Sequence, residues 1–147
     1  MRLLVSGSRR FAAFPSASWS KTHEQRIRAL ETYRAEKKRV FEMLDSVRAI
    51  SSEVTEVYSG GANGVDLAAR SWAQERGLSF EEFPVQDQDW LAQGRVAGIQ
   101  RNLLMLSRLA PQDEVVVIRF PASPGSQHME AAARSAGYRV HLFLLEE

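Results

Sequence analysis

Short apolar runs alternate with longer helical stretches along the chain, and this alternation limits the possible folds more than any other feature. The predicted strands are residues 3–5, 54–58, 78–83, 114–120 and 139–145. The predicted helices are residues 23–50, 65–75, 97–109 and 126–136, the first with apolar side chains at three- and four-residue steps. The charged stretch 33–39 is either a solvated part of the first helix or a break in it.

Alternation of this kind predicts right-handed crossovers and a mostly parallel sheet with helices on both faces. We therefore expect one α/β domain over residues 1–147, a Rossmann-like doubly wound sheet of about five strands. The strands are continuously apolar, as in sheets that are buried on both sides. In such sheets ligands bind beyond the carboxyl ends of the strands, at the switch point of the strand order.

Three of the turns at that edge consist almost entirely of small residues. They read SGSRR at 6–10, SGGANGVD at 59–66 and FPASPGS at 120–126. Glycine lets backbone N–H groups approach an anion, and a following helix N-terminus adds partial positive charge. Steric need alone can explain any one such turn, but three at one edge favour a shared crevice that binds the phosphate of a nucleotide or nucleotide derivative.

Several side chains near these turns are candidates for ligand contacts. A guanidinium fork matches phosphate, and Arg9 is favoured over Arg10 because the crevice should lie close to Gly7, although both arginines could be solvated. Asp66 lies in the first turn of the second predicted helix, where its negative charge either interacts favourably with the helix dipole or binds a ribose hydroxyl. Asn102 is a poor residue for a helix interior, which indicates a specific hydrogen bond.

Other chemistry is less well supported. Glu130 is the candidate catalytic carboxylate because it is the only acid near the third turn, and a solvated helix residue is the alternative. Phe83 and Trp90 could stack on a base or belong to the core. The chain has no cysteine and its three histidines lie far apart, so we expect no metal and no cofactor apart from the ligand. It also lacks the GxSxG elbow, the GxxxxGKS/T loop and a GxGxxG turn.

The charge balance is close to neutral, with 19 basic and 18 acidic residues and a net charge of +1. It gives no overall electrostatic case for nucleic acid, although the fold could still cluster the arginines. No apolar run approaches the roughly 20 residues that span a bilayer, and the N-terminus is too short and polar for a secretory signal. We therefore expect a cytoplasmic protein.

Four segments, taken in order, resemble the SLOG superfamily of Rossmann-like proteins, and in particular its small YspA/YpsA-related branch. They are VSGSR at 5–9, SGGANGVDLAA at 59–69, IQRNLLML at 99–106 and, more loosely, FPASPGS at 120–126, so the resemblance spans nearly the whole chain. Members of the branch are inferred to bind nucleotides or nucleotide-derived signals such as ADP-ribose or NAD derivatives. The resemblance implies a nucleotide-binding protein that acts as a sensor, and a homodimer, because SLOG relatives often self-associate.

Two better-known relatives imply alternatives. DprA, a single-stranded DNA-binding recombination mediator, has similar GSR, SGGAxGID and RN segments, and this resemblance implies binding of single-stranded DNA. The LOG phosphoribohydrolases cleave the N-glycosidic bond of nucleoside monophosphates with the Glu of a PGGxGTxxE turn, and this resemblance implies hydrolysis. In this chain the corresponding turn, residues 121–126, lacks the double glycine and has serine in place of threonine, and Glu130 lies one residue later than the LOG glutamate. Taken together, the predicted ligand-binding residues are Gly7, Ser8, Arg9, Ser59, Gly60, Gly61, Asn63, Gly64, Asp66, Arg101, Asn102, Gly125 and Ser126.

Overall fold

Five parallel strands form one sheet in the computed structural model, which describes residues 1–16, 22–84 and 94–147. The strands are β1 (Arg2–Gly7), β2 (Glu56–Ser59), β3 (Ser79–Glu82), β4 (Glu114–Arg119) and β5 (Arg139–Leu144). The helices within the described residues are α1 (His23–Ile50), α2 (Val65–Glu75), α3 (Arg95–Ser107) and α4 (Pro124–Ser135). The predicted α/β class and the parallel, Rossmann-like arrangement are confirmed.

The first helix runs without a break through the charged stretch 33–39. Thr22 caps its N-terminus in a capping box with Gln25, so two otherwise unpaired backbone donors are satisfied. Only Val40, Leu44 and Val47 of this helix are fully buried, which means that its charged N-terminal half is solvated. None of the helices in the described residues combines the length and apolar character needed to cross a membrane.

The observed bounds of the strands and of α3 and α4 differ from the predicted ones by a few residues, and those of α1 and α2 are as predicted. The last helix begins at Pro124 rather than at Ser126, because proline fits the first helical position, where its missing N–H costs nothing. The third helix begins at Arg95 and ends at Ser107, two residues earlier at each end than predicted. Most of the predicted loop at 86–95, with Trp90, lies outside the described residues.

The central strand sends alternate side chains to the two faces of the sheet. Leu3 and Val5 pack with α1 and α2, and Leu4 packs with α3 and α4, each of the three with no exposed surface. Burying a side chain of this size stabilises a fold by roughly 1.5–3 kcal/mol. Helices therefore cover both faces, as the doubly wound arrangement requires.

The strand order is β3-β2-β1-β4-β5, so the sheet grows in one direction from β1 and then in the other. The switch point lies between β1 and β4, where Leu4 pairs with Val115 and Gly7 with Ile118. Beyond this pair the backbone N–H of Ser8 still donates to the Ile118 carbonyl at 2.9 Å. The turns that follow β1 and β4 are therefore neighbours at the carboxyl edge of the sheet.

Candidate functional site

A cavity of about 480 Å³ lies at this switch point, between the turns after β1 and β4 and the first turns of α3. Its volume is in the usual range for small-molecule sites, roughly 300–1,000 Å³. The lining residues are Ser6, Gly7, Ser8, Arg9, Arg10, Ala62, Asp66, Gly98, Ile99, Arg101, Asn102, Ala122, Ser123, Pro124, Gly125, Ser126 and His128.

The predicted binding residues divide into two groups. Those that line the cavity are Gly7, Ser8, Arg9, Asp66, Arg101, Asn102, Gly125 and Ser126. Those outside its lining are Ser59, at the end of β2, and Gly60, Gly61, Asn63 and Gly64 in the turn after β2. This turn follows a strand one position away from the switch point, so it supports the cavity from the side.

Gly64 allows the β2 turn to approach the β1 turn closely. Its φ is +96°, and a Cβ there would meet the Ser8 carbonyl and the Arg9 backbone. The next residue, Val65, donates its N–H to the same Ser8 carbonyl at 3.0 Å. A Cβ on Gly7 would likewise overlap the Ile118 carbonyl and the Val65 side chain. These two glycines are therefore needed for close backbone packing.

The other polar residues of the β2 turn hold it in place. The Ser59 hydroxyl, which has no exposed surface, donates to the Val5 carbonyl at 3.0 Å. The Asn63 amide accepts from Phe14 N–H at 3.0 Å and donates to Phe14 O at 3.2 Å. Gly61 has a φ of +79°, and a Cβ there would meet the Glu82 side chain.

Two lining residues of opposite charge, the half-buried Arg101 and the buried Asp66, are bound to the backbone of the β2 turn. Arg101 Nη1 donates to the Gly60 carbonyl at 3.3 Å, and Ala62 N–H donates to Asp66 Oδ2 at 3.2 Å. A Cβ on Gly60 would meet both the Arg101 guanidinium and the Asp66 carboxylate, so only glycine leaves room for them. The Nε of Arg101 is buried without a hydrogen-bond partner among the described residues.

Burial dominates the acid–base properties of this pair. It raises the pKa of Asp66 to about 6, although the Arg101 charge and the Ala62 N–H both favour the carboxylate. Burial also lowers the pKa of Arg101 below its ordinary value, and the Asp66 charge opposes that change. A guanidinium remains charged at neutral pH in either case.

The two arginines after β1 have different surroundings. Arg10 Nη2 lies 3.2 Å from Glu147 Oε1, and the guanidinium sits 4.6 Å from the centre of the Phe120 ring. Arg9 also lines the cavity, and its charge acts on both Asp66 and Arg101. Both arginines line the cavity, and the choice of Arg9 over Arg10 as the arginine for the ligand stays a prediction.

The family model of the YspA, cpYpsA-related SLOG family matches residues 1–90 of the chain. The chain belongs to this SLOG family. No curated protein and no solved structure matches it significantly. The matched segment is shorter than the near-complete resemblance that we expected, and it ends before α3 begins at Arg95. It therefore contains the β1 and β2 turns of this SLOG protein, while the α3 and α4 side of the cavity lies beyond it.

On that second side, Asn102 connects α3 to the first turn of α4. Its Nδ2 lies 3.2 Å from the Gly125 carbonyl and 3.2 Å from His128 Nδ1. Asn102 is 4% exposed, and its Oδ1 is buried with no partner among the described residues. The predicted specific hydrogen bond of Asn102 is confirmed.

His128 and Ser123 line the cavity but were not among the predicted site residues. The histidines had been considered only as metal ligands, for which their spacing is unsuitable. The available signal was the position of both residues at the start of the helix that follows the third small-residue turn. Within residues 1–16, 22–84 and 94–147, no three His, Asp or Glu side chains are grouped as a metal site requires.

Glu130 lies outside the cavity lining and binds Arg119 instead. Arg119 Nε is 2.8 Å from Glu130 Oε1, with side chains that are 12% and 17% exposed. The same guanidinium donates to the Phe120 and Pro121 carbonyls at 3.1 and 3.0 Å. Glu130 thus orients Arg119, which in turn holds the turn after β4, and a catalytic role for Glu130 stays a prediction.

Replacing Glu130 with alanine is expected to lower the free energy of unfolding by about 2 kcal/mol, because Arg119 would lose its largely buried partner. Chemical denaturation measures this loss. Arg134→Ala is the matched control, since Arg134 is 52% exposed and lies 3.4 Å from the other Glu130 oxygen, where a bridge contributes little. Equal losses in the two variants would contradict the structural role of the Arg119 pair.

Of the two aromatic residues considered for base stacking, the described one lies in the core. Phe83 is 7% exposed and packs edge-to-face on Tyr58, with ring centroids 5.1 Å apart. It does not line the cavity of the SLOG protein. Trp90 lies outside the described residues.

Proposed function

We propose that this SLOG protein binds a nucleotide or a nucleotide-derived ligand, such as ADP-ribose or an NAD derivative, in the cavity at the switch point. The observation that carries the proposal is the charge of the cavity. Its lining within the described residues includes three arginines, Arg9, Arg10 and Arg101, and one aspartate, Asp66. The chain as a whole has a net charge of only +1, so positive charge is concentrated where an anion would bind.

The phosphate would lie between the β1 turn and the N-terminus of α4. The first N–H groups of a helix have no acceptor within the helix, and the helix dipole favours an anion there. The N-cap residue Ser123 makes no capping hydrogen bond with its side chain. The N–H groups of Gly125 and Ser126 are therefore suited to a phosphate, with Arg9 supplying a guanidinium from the opposite side.

The cavity has room for more than a phosphate. Inorganic phosphate would leave most of about 480 Å³ unfilled, while a nucleotide adds a sugar and a base. Asp66, the lining carboxylate, already accepts a hydrogen bond from Ala62 N–H. A carboxylate held in this way fits a sensor role better than a catalytic one.

Thermal shift with AMP, ADP-ribose and NAD, and with adenosine as the uncharged control, tests the proposal. A ligand that binds only the folded protein stabilises it by RT ln(1 + [L]/Kd), about 2.7 kcal/mol at a hundredfold excess over Kd. We expect stabilisation by at least one phosphorylated compound and much less by adenosine. Absence of stabilisation by every compound at millimolar concentration would refute the proposal. Release of adenine or ribose phosphate during incubation would instead indicate hydrolysis.

In the same assay, Arg9→Ala is expected to weaken the binding of the stabilising nucleotide about ten- to hundredfold, the usual effect of losing a hydrogen bond to a charged group. Arg134→Ala is the control, because Arg134 is 52% exposed and does not line the cavity, and we expect a change below about threefold. Circular dichroism should show that both variants fold. Unchanged affinity in Arg9→Ala would remove Arg9 from the site.

A further inference from the structure

His128 occupies a position in the cavity that neither the family match nor the sequence pattern assigns to the ligand. It lies in the first turns of α4, lines the cavity and is partly exposed. Its Nδ1 faces the Asn102 side-chain amide, and its Nε2 has no hydrogen-bond partner among the described residues. What His128 can offer a ligand depends on which ring nitrogen carries the proton.

The neighbours of Asn102 determine which ring nitrogen of His128 carries the proton. A backbone carbonyl only accepts hydrogen bonds, so the Asn102 atom that faces Gly125 O at 3.2 Å must be the NH2 group. The same NH2 group faces His128 Nδ1 at 3.2 Å. An NH2 group only donates, and Nδ1 must therefore be the accepting, unprotonated nitrogen. The proton of the neutral ring is then on Nε2, which becomes a hydrogen-bond donor.

We propose that His128 is a ligand-binding residue that donates its Nε2–H to a phosphate oxygen of the bound nucleotide, and that Asn102 is the positioning residue that sets this tautomer. The proposal rests on the proposed function and adds a neutral donor to the charged groups of the cavity. A phosphate oxygen is the matching partner, because it accepts hydrogen bonds and the lining arginines attract it to the same space. Asn102 acts through His128 and through Gly125 O, which it holds at the N-terminus of α4.

The tautomer can be tested without any ligand. Long-range ¹H–¹⁵N NMR of the ring at pH 7.5 should show the His128 proton on Nε2 and an unprotonated Nδ1. In Asn102→Leu the fixed tautomer should be replaced by a mixture, while Arg134→Ala, on the same helix, should leave the spectrum as in the wild type. A proton on Nδ1 of the wild-type ring would overturn the assignment.

The donation is tested by the affinity for AMP. His128→Phe should weaken binding about tenfold or more, as expected for a lost hydrogen bond to a charged group. His128→Gln should stay within about threefold of the wild type, because its amide N–H can replace Nε2–H. Equal affinity of His128→Phe and wild type would overturn the donation and leave the proposed function standing. Failure of the wild type to bind AMP or any other nucleotide would overturn both, whatever the NMR shows.

Discussion

Replacing Gly64 with alanine is expected to lower the free energy of unfolding by about 3 kcal/mol or more, or to prevent folding. The residue has φ of +96° and ψ of −134°, a region that is essentially restricted to glycine and costs other residues roughly 1–3 kcal/mol. The added Cβ would also overlap the carbonyl of Ser8 and the Cα of Arg9. These are backbone atoms that cannot rotate away, and overpacking of this kind costs about 1–3 kcal/mol more.

Gly77→Ala separates the two causes. Gly77 also has a positive φ, +69°, but a Cβ there meets nothing within 4 Å. This control should therefore lose only about 1–2 kcal/mol, the conformational cost of a left-handed residue. Urea unfolding followed by circular dichroism measures both variants at one temperature. Similar losses in the two variants would show that the β1 and β2 turns do not pack as closely as described.

Asp66→Asn is expected to stabilise the protein at neutral pH, by up to about 3 kcal/mol, and to have little effect near pH 4. Burial raises the pKa of Asp66 from 3.8 to about 6 in the folded protein. Between these values the folded chain holds a proton that the unfolded chain has released. The stability from this proton is fully present below about pH 3.8 and is lost as the pH rises through 6. One pKa unit corresponds to about 1.4 kcal/mol, which sets the upper size of the effect.

The measurement is the free energy of unfolding of wild type and variant at several pH values from 7.5 to below 3.8, the ordinary pKa of an aspartate. Asp45→Asn should behave in the opposite way, because the hydrogen bond from Arg76 holds the pKa of Asp45 below its ordinary value. The loss of stability in Asp45→Asn should be greatest at neutral pH and should vanish as the pH falls through the Asp45 pKa. A gap between wild type and Asp66→Asn that does not change with pH would contradict the burial of an ionisable Asp66 carboxyl.

The sheet and the edge at which its small-residue turns lie could be predicted because short apolar strands and small-residue turns are local features. The helix at Val65–Glu75 was predicted with its observed bounds, since Gly64 and Gly77 limit it on both sides. The strand order is not local. It places β1 and β4 side by side, so the β1 turn lines the cavity, while Asn63 and all of the β2 turn except Ala62 lie outside the lining.

The contacts between side chains of distant elements were the second feature that could not be predicted from the sequence. His128 enters the site because α3 brings Asn102 against the first turn of α4, a packing that no spacing in the sequence reveals. Glu130 is close in sequence to the third turn, but it lies one helical turn further along α4, where Arg119 from the end of β4 reaches it. Distance along the chain therefore did not reveal the ion pair with Arg119, and a catalytic role for Glu130 stays a prediction.

The position of β1 has a consequence for the order in which the protein forms during synthesis. β1 leaves the ribosome well before β4, with which it pairs, for example Leu3 with Glu114. At roughly 5–20 residues per second, the chain between these two residues takes on the order of ten seconds to make. A nascent chain that has reached residue 90 can pair β1 with β2, but it lacks the β4 and α4 side of the cavity. A ligand at the switch point can therefore stabilise only the completed sheet, and the growing chain must fold without it.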